Sequence, residues 1–471
     1  MLAGSPEIAQ PRLLAAELIA AYAVRCWRDP AKDERFDSAA HIAYRALLDT
    51  LGVAVAGSND DATCMARAYV ASMLDSGDAL DWTTGRRLPA ESAALVNGIA
   101  AHVLDFDDVM TPMRAHVSAT VVPALTALAK QTSCTGREFA AAFIAGFEVM
   151  AKFARVMALD HYSRGWHSTS ALGILGTTVA CGVLLRLDAP QMCNALGLAV
   201  AQASGSRENF GSMAKSFQAG HCAASAVRAA LLARSGFTAA ATAIDGRYGY
   251  MTLYASGEDL LPDLAALGEG EPEILHIGLD LKKYPCCYAV QRALDAALDI
   301  RRDSRLLPAE IEEVSILTSA GGLQALRREF PRTGLEAKFS MEYAIAAMLV
   351  NGRIGFDSFT DKAIGQSQVV ELAARVAVTE ASGPVLPRWS ELTIRTRSGA
   401  VHQRCVKVAH GDAGDPLSDR EVIEKAVDCF AWVGRTGDVS IFAERVLNMG
   451  GIAVSELIEQ CCVLAPVSTE D

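Results

Sequence analysis

Hydrophobic residues in the first 275 positions recur every three or four residues. Between Asp37 and Gly52, for example, Ala40, Ala43, Leu47 and Leu51 fall on one helical face, and the pattern ends at the glycine. No alternating, strand-like pattern stands out in this part of the chain. The same periodicity predicts further helices at Glu91–Val109, Arg137–Met157, Ser170–Leu187, Pro190–Ala203 and Ala219–Ser235.

The pattern changes after the Gly-rich and Pro-containing stretch at residues 268–272. Ile311–Thr318 alternates as a strand does, and residues 391–397 and 401–408 flank Ser398-Gly399 as the arms of a hairpin. Helical spacing returns at Phe339–Val350 and again from Leu417. The inward-facing candidates of the hairpin are Leu392, Ile394, Val406 and Val408, and Ser418 with Glu421 predicts a capping box.

These patterns predict a mainly α protein with two parts. Residues 1–275 and 412–471 would form a large all-helical domain from both chain ends, and residues 276–411 would form an inserted α+β lid domain. A length of 471 residues suits two domains better than one core.

Composition and charge narrow the class of partner. Hydrophobic residues make up 51% of the chain and charged residues 21%, as in a well-buried globular protein. A net charge of -12 argues against nucleic acid, because phosphate binding needs a basic surface. An anionic small molecule stays possible, since a few cations focused in one cleft can outweigh a diffuse negative surface.

Three features bear on location. The stretch between Arg164 and Arg186 has no charged residue, but its hydroxyl side chains and glycines favour a buried helix over a membrane span. Glu17 interrupts the apolar residues 13–24, so we expect no signal peptide. The 12 cysteines form no Cys-x-x-Cys pair and are expected to be small buried hydrophobes in a reducing cytoplasm.

Candidate chemistry concentrates in a few short segments. If residues 91–109 are helical, His102 and Asp105 are neighbours one turn apart, and a carboxylate beside an imidazole is suited to acid–base catalysis. His116 follows closely. The same residues could instead form a solvated helix end, or a metal site, although their spacing matches no strong metal motif.

Four other segments contain candidate site residues, each of which could instead have an ordinary structural role. Tyr162 and His167 precede the uncharged stretch, where the histidine could be a packed core residue. Lys215 is a lone cation that could reach the surface, and Lys282 sits beside a proline turn that could be exposed linker. Tyr343 is either a packed aromatic residue or a phenol donor. Together these groups suit proton abstraction next to a carboxylate, followed by loss of water or carbon dioxide.

The ordered series of motifs resembles the MmgE/PrpD family. The matching strings begin with LLDTLGVAVAG (47–57), HVLDFDD (102–108), His116-Val117-Ser118 with VVPAL, and GWHSTSALGILG (165–176). They continue with NALGLAVAQASG (194–205), LKKYPCC (281–287), EAKFSMEYA (336–344) and GDPLSDREVIEKAVDC near the end.

The resemblance implies an all-helical domain, an α+β lid, a cleft between them and a homodimer. It implies metal-independent, cofactor-free chemistry on a small di- or tricarboxylate, such as 2-methylcitrate, citrate or cis-aconitate. It also implies specific site residues. Those expected to be catalytic are Asp105, His116, His167, Lys215 and Tyr343, and those expected to bind substrate are His102, Tyr162, Lys282 and Cys287.

Within the family, dehydration of a 2-methylcitrate-like hydroxy acid is the first expectation. Epimerisation of a substituted succinate is the second. Decarboxylation comes third, because histidines that relatives carry at or near Cys287 and Gln291 are absent here. The rivals are a magnesium enzyme of another class that uses Asp105, Asp107 and Asp108, and a non-catalytic binding protein of the same fold.

Overall fold

The computed structural model describes residues 14–28, 34–73, 76–255 and 259–464, most of which are helical. In chain order the helices are α1 Ala15–Arg28, α2 Glu34–Ala56, α3 Asp61–Met73, α4 Ala90–His102, α5 Ser118–Thr132, α6 Gly136–Ser163, α7 Ser168–Ala171, α8 Gly173–Leu184, α9 Ala189–Val200, α10 Ala214–Arg234, α11 Tyr250–Tyr254, α12 Leu261–Ala265, α13 Glu273–His276, α14 Tyr288–Ser304, α15 Gly334–Ala337, α16 Met341–Asn351, α17 Ser367–Ala373, α18 Asp419–Trp432, α19 Val439–Leu447 and α20 Val454–Val463. Short 3₁₀ turns lie at Arg207–Asn209, Pro308–Glu310, Phe356–Phe359 and Ala363–Gly365.

The strands form two small sheets. Strands β1 Ala79–Leu80 and β2 Arg87–Leu88 pair antiparallel in a part of the chain where the pattern predicted no strand. The second sheet contains β3 Ile311–Thr318, β4 Val376–Glu380, β5 Ser390–Thr396 and β6 Val401–Val406, in the order β4-β3-β5-β6. Strands β3 and β4 are parallel, and the other neighbours are antiparallel.

Two hydrophobic cores divide most of the chain. The larger core takes residues from Ala15 to Leu281 and again from Leu417 to Cys461, so both chain ends contribute to it. The smaller core takes residues from Tyr284 to Ile394, where α14 and α16 pack beside the four-stranded sheet. That this second part moves as a lid stays a prediction.

Several local predictions are confirmed, and others are wrong. Ser418 and Glu421 form the predicted capping box of α18, and β5 and β6 form the predicted hairpin. Leu392 and Ile394 face inward, but Val408 is 49% exposed because it lies beyond the end of β6. The uncharged stretch is split into α7 and α8, and no described helix is long and apolar enough to cross a membrane.

Glycines allow two pairs of helices to approach closely. A Cβ atom on Gly98 of α4 would lie 2.7 Å from the Cα atom of Gly220 on α10, and one on Gly176 of α8 would lie 2.4 Å from the carbonyl oxygen of Gly146 on α6. The contact between α4 and α10 matters for function. It brings the end of α4, at His102, beside the start of α10, at Lys215.

Candidate active site

The site is built around the end of α4. The helix was predicted to continue to Val109, but it ends at His102, and Asp105 has a left-handed φ of 53°. A left-handed residue breaks helical geometry, so the predicted pairing of His102 with Asp105 across one turn is wrong. His102 pairs with Asp107 instead, at 2.7 Å between Nδ1 and Oδ2.

Three buried lysines hold the irregular segment that follows α4. Their ammonium groups donate to three consecutive carbonyl oxygens: Lys338 to Leu104 at 2.6 Å, Lys282 to Asp105 at 2.6 Å and Lys425 to Phe106 at 2.9 Å. Carbonyl groups past a helix end need partners when they are buried. Lysines that are remote in sequence supply those partners and fix the position of Asp105.

Asp105 is the centre of a compact charged cluster. Its Oδ1 atom lies 2.7 Å from Nζ of Lys215, 3.2 Å from Nζ of Lys282 and 3.7 Å from Nε2 of His116. Burial alone would raise the pKa of Asp105, but the two lysines hold it well below its ordinary value. Burial lowers the pKa of Lys282, but Asp105 and Asp107 outweigh that effect and leave it raised. Asp105 and Lys282 are therefore both held in the charged form.

Asp107 lies between two imidazoles. One of its oxygens, Oδ2, is 2.7 Å from Nδ1 of His102 and 3.2 Å from Nδ1 of His116. Nε2 of His102 is in turn 2.9 Å from Nζ of Lys215. Since the ammonium can only donate, His102 accepts there and carries its proton on Nδ1. Burial lowers the pKa of His102, and it lowers that of His116 to about 4, so both rings are neutral at neutral pH.

His167 is oriented by a glutamine that the sequence did not single out. Nδ1 of His167 lies 2.6 Å from Oε1 of Gln218, whose amide nitrogen donates to the carbonyl oxygen of Ser206 at 3.0 Å. The second bond fixes the amide, so Nδ1 of His167 must be the donor. Its Nε2 atom has no hydrogen-bond partner among the described residues. Burial and Lys215 hold the pKa of His167 well below its ordinary value, which leaves Nε2 as an unprotonated base.

These groups open into one pocket between the two cores. Of the nine predicted site residues, six line it: Asp105, His116, Tyr162, His167, Lys215 and Cys287. Phe210 and Phe339 form an apolar wall, each ring centre lying 5.6 Å from Nζ of Lys215. Burial raises the pKa of the Cys287 thiol to about 11, so it stays protonated.

The other three predicted residues lie elsewhere. His102 and Lys282 are completely buried behind Lys215 and Asp105 and do not line the pocket. Tyr343 lies in the smaller core, where its hydroxyl donates to the carbonyl oxygen of Ser358 at 2.5 Å. The structure thus does not bring Tyr343 together with the other predicted residues.

Arginines on the pocket wall were missed. Arg114 and Arg388 line the pocket, and Arg207 lies with its guanidinium carbon 3.8 Å from the ring centre of Tyr162. Arg114 stands two residues before His116, and that proximity could have drawn attention to it. Arg388 follows β4 and comes from a remote part of the chain, so no local pattern identifies it.

The acidic groups also bear on metal binding. His102, Asp105, Asp107 and His116 offer ligand atoms within 4.8 Å of one another, a spacing that a metal ion could use. However, two ammonium groups already contact Asp105, and a cation there would meet their repulsion. Asp108 points away, accepting from the backbone N–H of Ser118 at 3.1 Å. The donor set therefore does not fit a metal, and the predicted magnesium alternative lacks its third carboxylate.

Comparison with known proteins shows the family of the chain. The MmgE/PrpD N-terminal domain model matches residues 17–262, and the C-terminal domain model matches residues 284–449. Cis-aconitate decarboxylase of Homo sapiens is 29% identical over 398 residues, covering 81% of each chain. The mouse enzyme is 29% identical over 411 residues, with 81% and 80% covered. A cis-aconitate decarboxylase-like protein of Aspergillus oryzae is 24% identical over 367 residues, with 72% and 75% covered. The two domain models together span nearly the whole described chain, which therefore belongs to the MmgE/PrpD family.

Proposed function

We propose that this protein is a lyase that acts on a small polycarboxylic acid through proton transfer at a carbon next to a carboxylate. The observation that carries this proposal is the unprotonated Nε2 atom of His167. It lies in the pocket wall without a partner among the described residues, and Gln218 holds the ring in that tautomer. A neutral imidazole with one bare nitrogen is suited to removing a carbon-bound proton.

The neighbouring cations support the same chemistry. Removing a proton next to a carboxylate places negative charge on the carboxylate oxygens, and a preorganised cation stabilises that charge. Lys215 lines the pocket and is held by Asp105 at 2.7 Å and by His102 at 2.9 Å. Because both contacts come from rigid, buried groups, the ammonium needs little reorganisation when charge develops beside it.

Decarboxylation of cis-aconitate is the first reaction to consider, because the similar relatives carry that name over 72–81% of this chain. In such a reaction the electron pair left by carbon dioxide shifts the alkene, and the far alkene carbon takes up a proton. An acid must then face the substrate. The ammonium of Lys215 and the protonated thiol of Cys287 are pocket groups that can donate.

Dehydration of a 2-methylcitrate-like hydroxy acid is the second candidate. It is favoured by the state of His167, because elimination of water begins with a base and the ring is neutral. Epimerisation of a substituted succinate would use the same base without loss of a group. Dehydration and epimerisation share proton removal by His167, whereas decarboxylation needs a proton donor at the far alkene carbon.

The test is proton NMR of the purified protein in deuterated buffer, with cis-aconitate, 2-methylcitrate and a substituted succinate in separate tubes. Two new methylene alkene signals from cis-aconitate, with release of carbon dioxide, would establish the decarboxylase. A new vinylic methyl signal from 2-methylcitrate would establish the dehydratase. Deuterium exchange with no new product would indicate an epimerase. If folded protein changes the spectrum of none of these acids, the proposed function would be contradicted.

A further inference from the structure

Three arginines at the pocket lack an acidic partner within ion-pair distance among the described residues. Arg114, Arg207 and Arg388 form no ion pair with any acidic residue in the described ranges. Arg292, another pocket residue, differs from these three arginines, because its guanidinium lies 2.5 Å from Oδ2 of Asp412. Lys215 and Lys282 also differ from them, because both share their charge with Asp105.

Two of the three guanidinium groups contact the same ring. The guanidinium carbon of Arg207 lies 3.8 Å and that of Arg114 4.9 Å from the ring centre of Tyr162. Burial, together with Arg388 and Arg207, lowers the pKa of Arg114 to about 10. The lowered pKa has a simple physical meaning: these cations repel each other in a partly desolvated wall.

Arg114 also has unused donors. Its Nη1 group donates to Oε1 of Gln324 at 2.6 Å, but its Nε and Nη2 atoms are buried and have no hydrogen-bond partner among the described residues. Arg388 donates from Nη1 to the carbonyl oxygen of Gly321 at 3.0 Å. Buried donors that lack partners cost free energy unless a ligand satisfies them. An anion is the ligand that would satisfy both the donors and the charge.

We propose that Arg114 and Arg388 bind a substrate carboxylate remote from the reacting carbon, with Arg207 adding to the positive field. This inference rests on the proposed function and deepens it. Lys215 and Lys282 share their charge with Asp105, whereas the arginines keep theirs for the substrate. The arginines therefore select acids with at least two carboxylates over monocarboxylates, since only the former can reach Arg114 and Arg388 while a second carboxylate lies by Lys215.

The experiment uses a probe that cannot react. Tricarballylate is a saturated tricarboxylate with no leaving group, and its binding can be measured by calorimetry on the whole protein. Arg114→Met and Arg388→Met should each weaken binding about ten- to a hundredfold, because each removes charge-assisted hydrogen bonds. Arg332→Met is the matched control, since that arginine is 76% exposed and its ion pair with Glu336 lies outside the pocket. It should leave the affinity unchanged.

Other probes test the ligand class. Propionate should bind far more weakly than tricarballylate to the unaltered protein, and inorganic phosphate should not bind more tightly. Equal affinity for propionate, or tighter binding of phosphate, would overturn the carboxylate assignment. Arg114→Lys should recover part of the affinity, because it restores charge without the planar fork.

The outcomes separate this inference from the proposed function. With a substrate that turns over, Arg114→Met and Arg388→Met should raise KM at least tenfold while kcat changes much less. Turnover with an unchanged KM would contradict the arginine subsite but support the proposed lyase activity. If tricarballylate binding depends on the arginines but no acid turns over, the lyase activity would be contradicted and the arginine subsite supported. Should Arg114→Met not fold because it also loses the bond to Gln324, Arg114→Lys and Arg388→Met carry the same test.

Discussion

Gln218 accepts a hydrogen bond from Nδ1 of His167, at 2.6 Å, and this contact decides which nitrogen of the imidazole faces the pocket. The amide of Gln218 cannot turn without losing its own bond to Ser206. A glutamine three residues after Lys215 on α10 thus sets the protonation state of a residue on a different segment. The relationship gives the first two predictions.

Replacing His167 with Asn should lower kcat by at least roughly a hundredfold if Nε2 removes the substrate proton. The measurement is steady-state turnover of whichever acid reacts. His161→Asn is the matched control, because His161 is another buried histidine, bonded through Nδ1 to the carbonyl oxygen of Tyr254 and absent from the pocket wall. Turnover near the original rate in His167→Asn would remove His167 from the mechanism.

Replacing Gln218 with Glu should move the acid limb of the kcat/KM profile to higher pH. A carboxylate on Nδ1 favours the imidazolium, so the pKa of His167 rises from its present value well below the ordinary one. The base is then lost to protonation at a higher pH than in the original protein. A profile that does not move would mean that His167 is not the group whose protonation limits the rate.

Replacing Asp105 with Asn should destabilise the fold by about 3–5 kcal/mol, because it leaves the buried ammonium groups of Lys215 and Lys282 without their carboxylate. Urea unfolding at neutral pH measures the change. Asp419→Asn is the control, since Asp419 is 46% exposed in its pair with Arg45 and should cost no more than about 1 kcal/mol. Equal effects of the two substitutions would contradict the role given to Asp105.

The ion pairs of Asp105 with Lys215 and Lys282 also predict a dependence of stability on pH. The pKa of Asp105 is lowered in the fold, so its contribution is fully present above the unfolded value near 4 and is lost as pH falls through the folded value. Asp105→Asn should therefore flatten the acid side of the stability curve. An unchanged acid limb of urea unfolding in the variant would show that other carboxylates dominate it.

Lys338 predicts a second dependence of stability on pH, at the alkaline end of the range. Burial lowers the pKa of Lys338 to about 8, so the folded state loses its proton before the unfolded chain does. Stability from this group should rise as pH increases from about 8 towards the unfolded value near 10.4. Lys338→Met should remove that rise in urea unfolding, although it also removes the donor to Leu104. A rise that persists in the variant would contradict the assignment.

Much of the fold follows from sequence alone. Helical periodicity identified most of the long helices, because an amphipathic or buried helix must repeat its apolar positions every three to four residues. Strand alternation and the Ser398-Gly399 turn identified β3, β5 and β6 for the same kind of local reason. The motifs around His102, His116 and His167 also indicated the family, and His116 and His167 line one pocket with Lys215.

Only the tertiary structure decided how those side chains are used. The end of α4 at His102 depends on lysines from residues 282, 338 and 425, which no local pattern connects to Leu104, Asp105 and Phe106. The tautomer of His167 depends on Gln218, and the unpaired charge of the pocket depends on Arg388, which lies far along the chain from Arg114. Sequence fixes local periodicity because neighbouring residues share one backbone geometry. Charge state and pairing are decided by contacts between distant segments, and these exist only once the chain has folded.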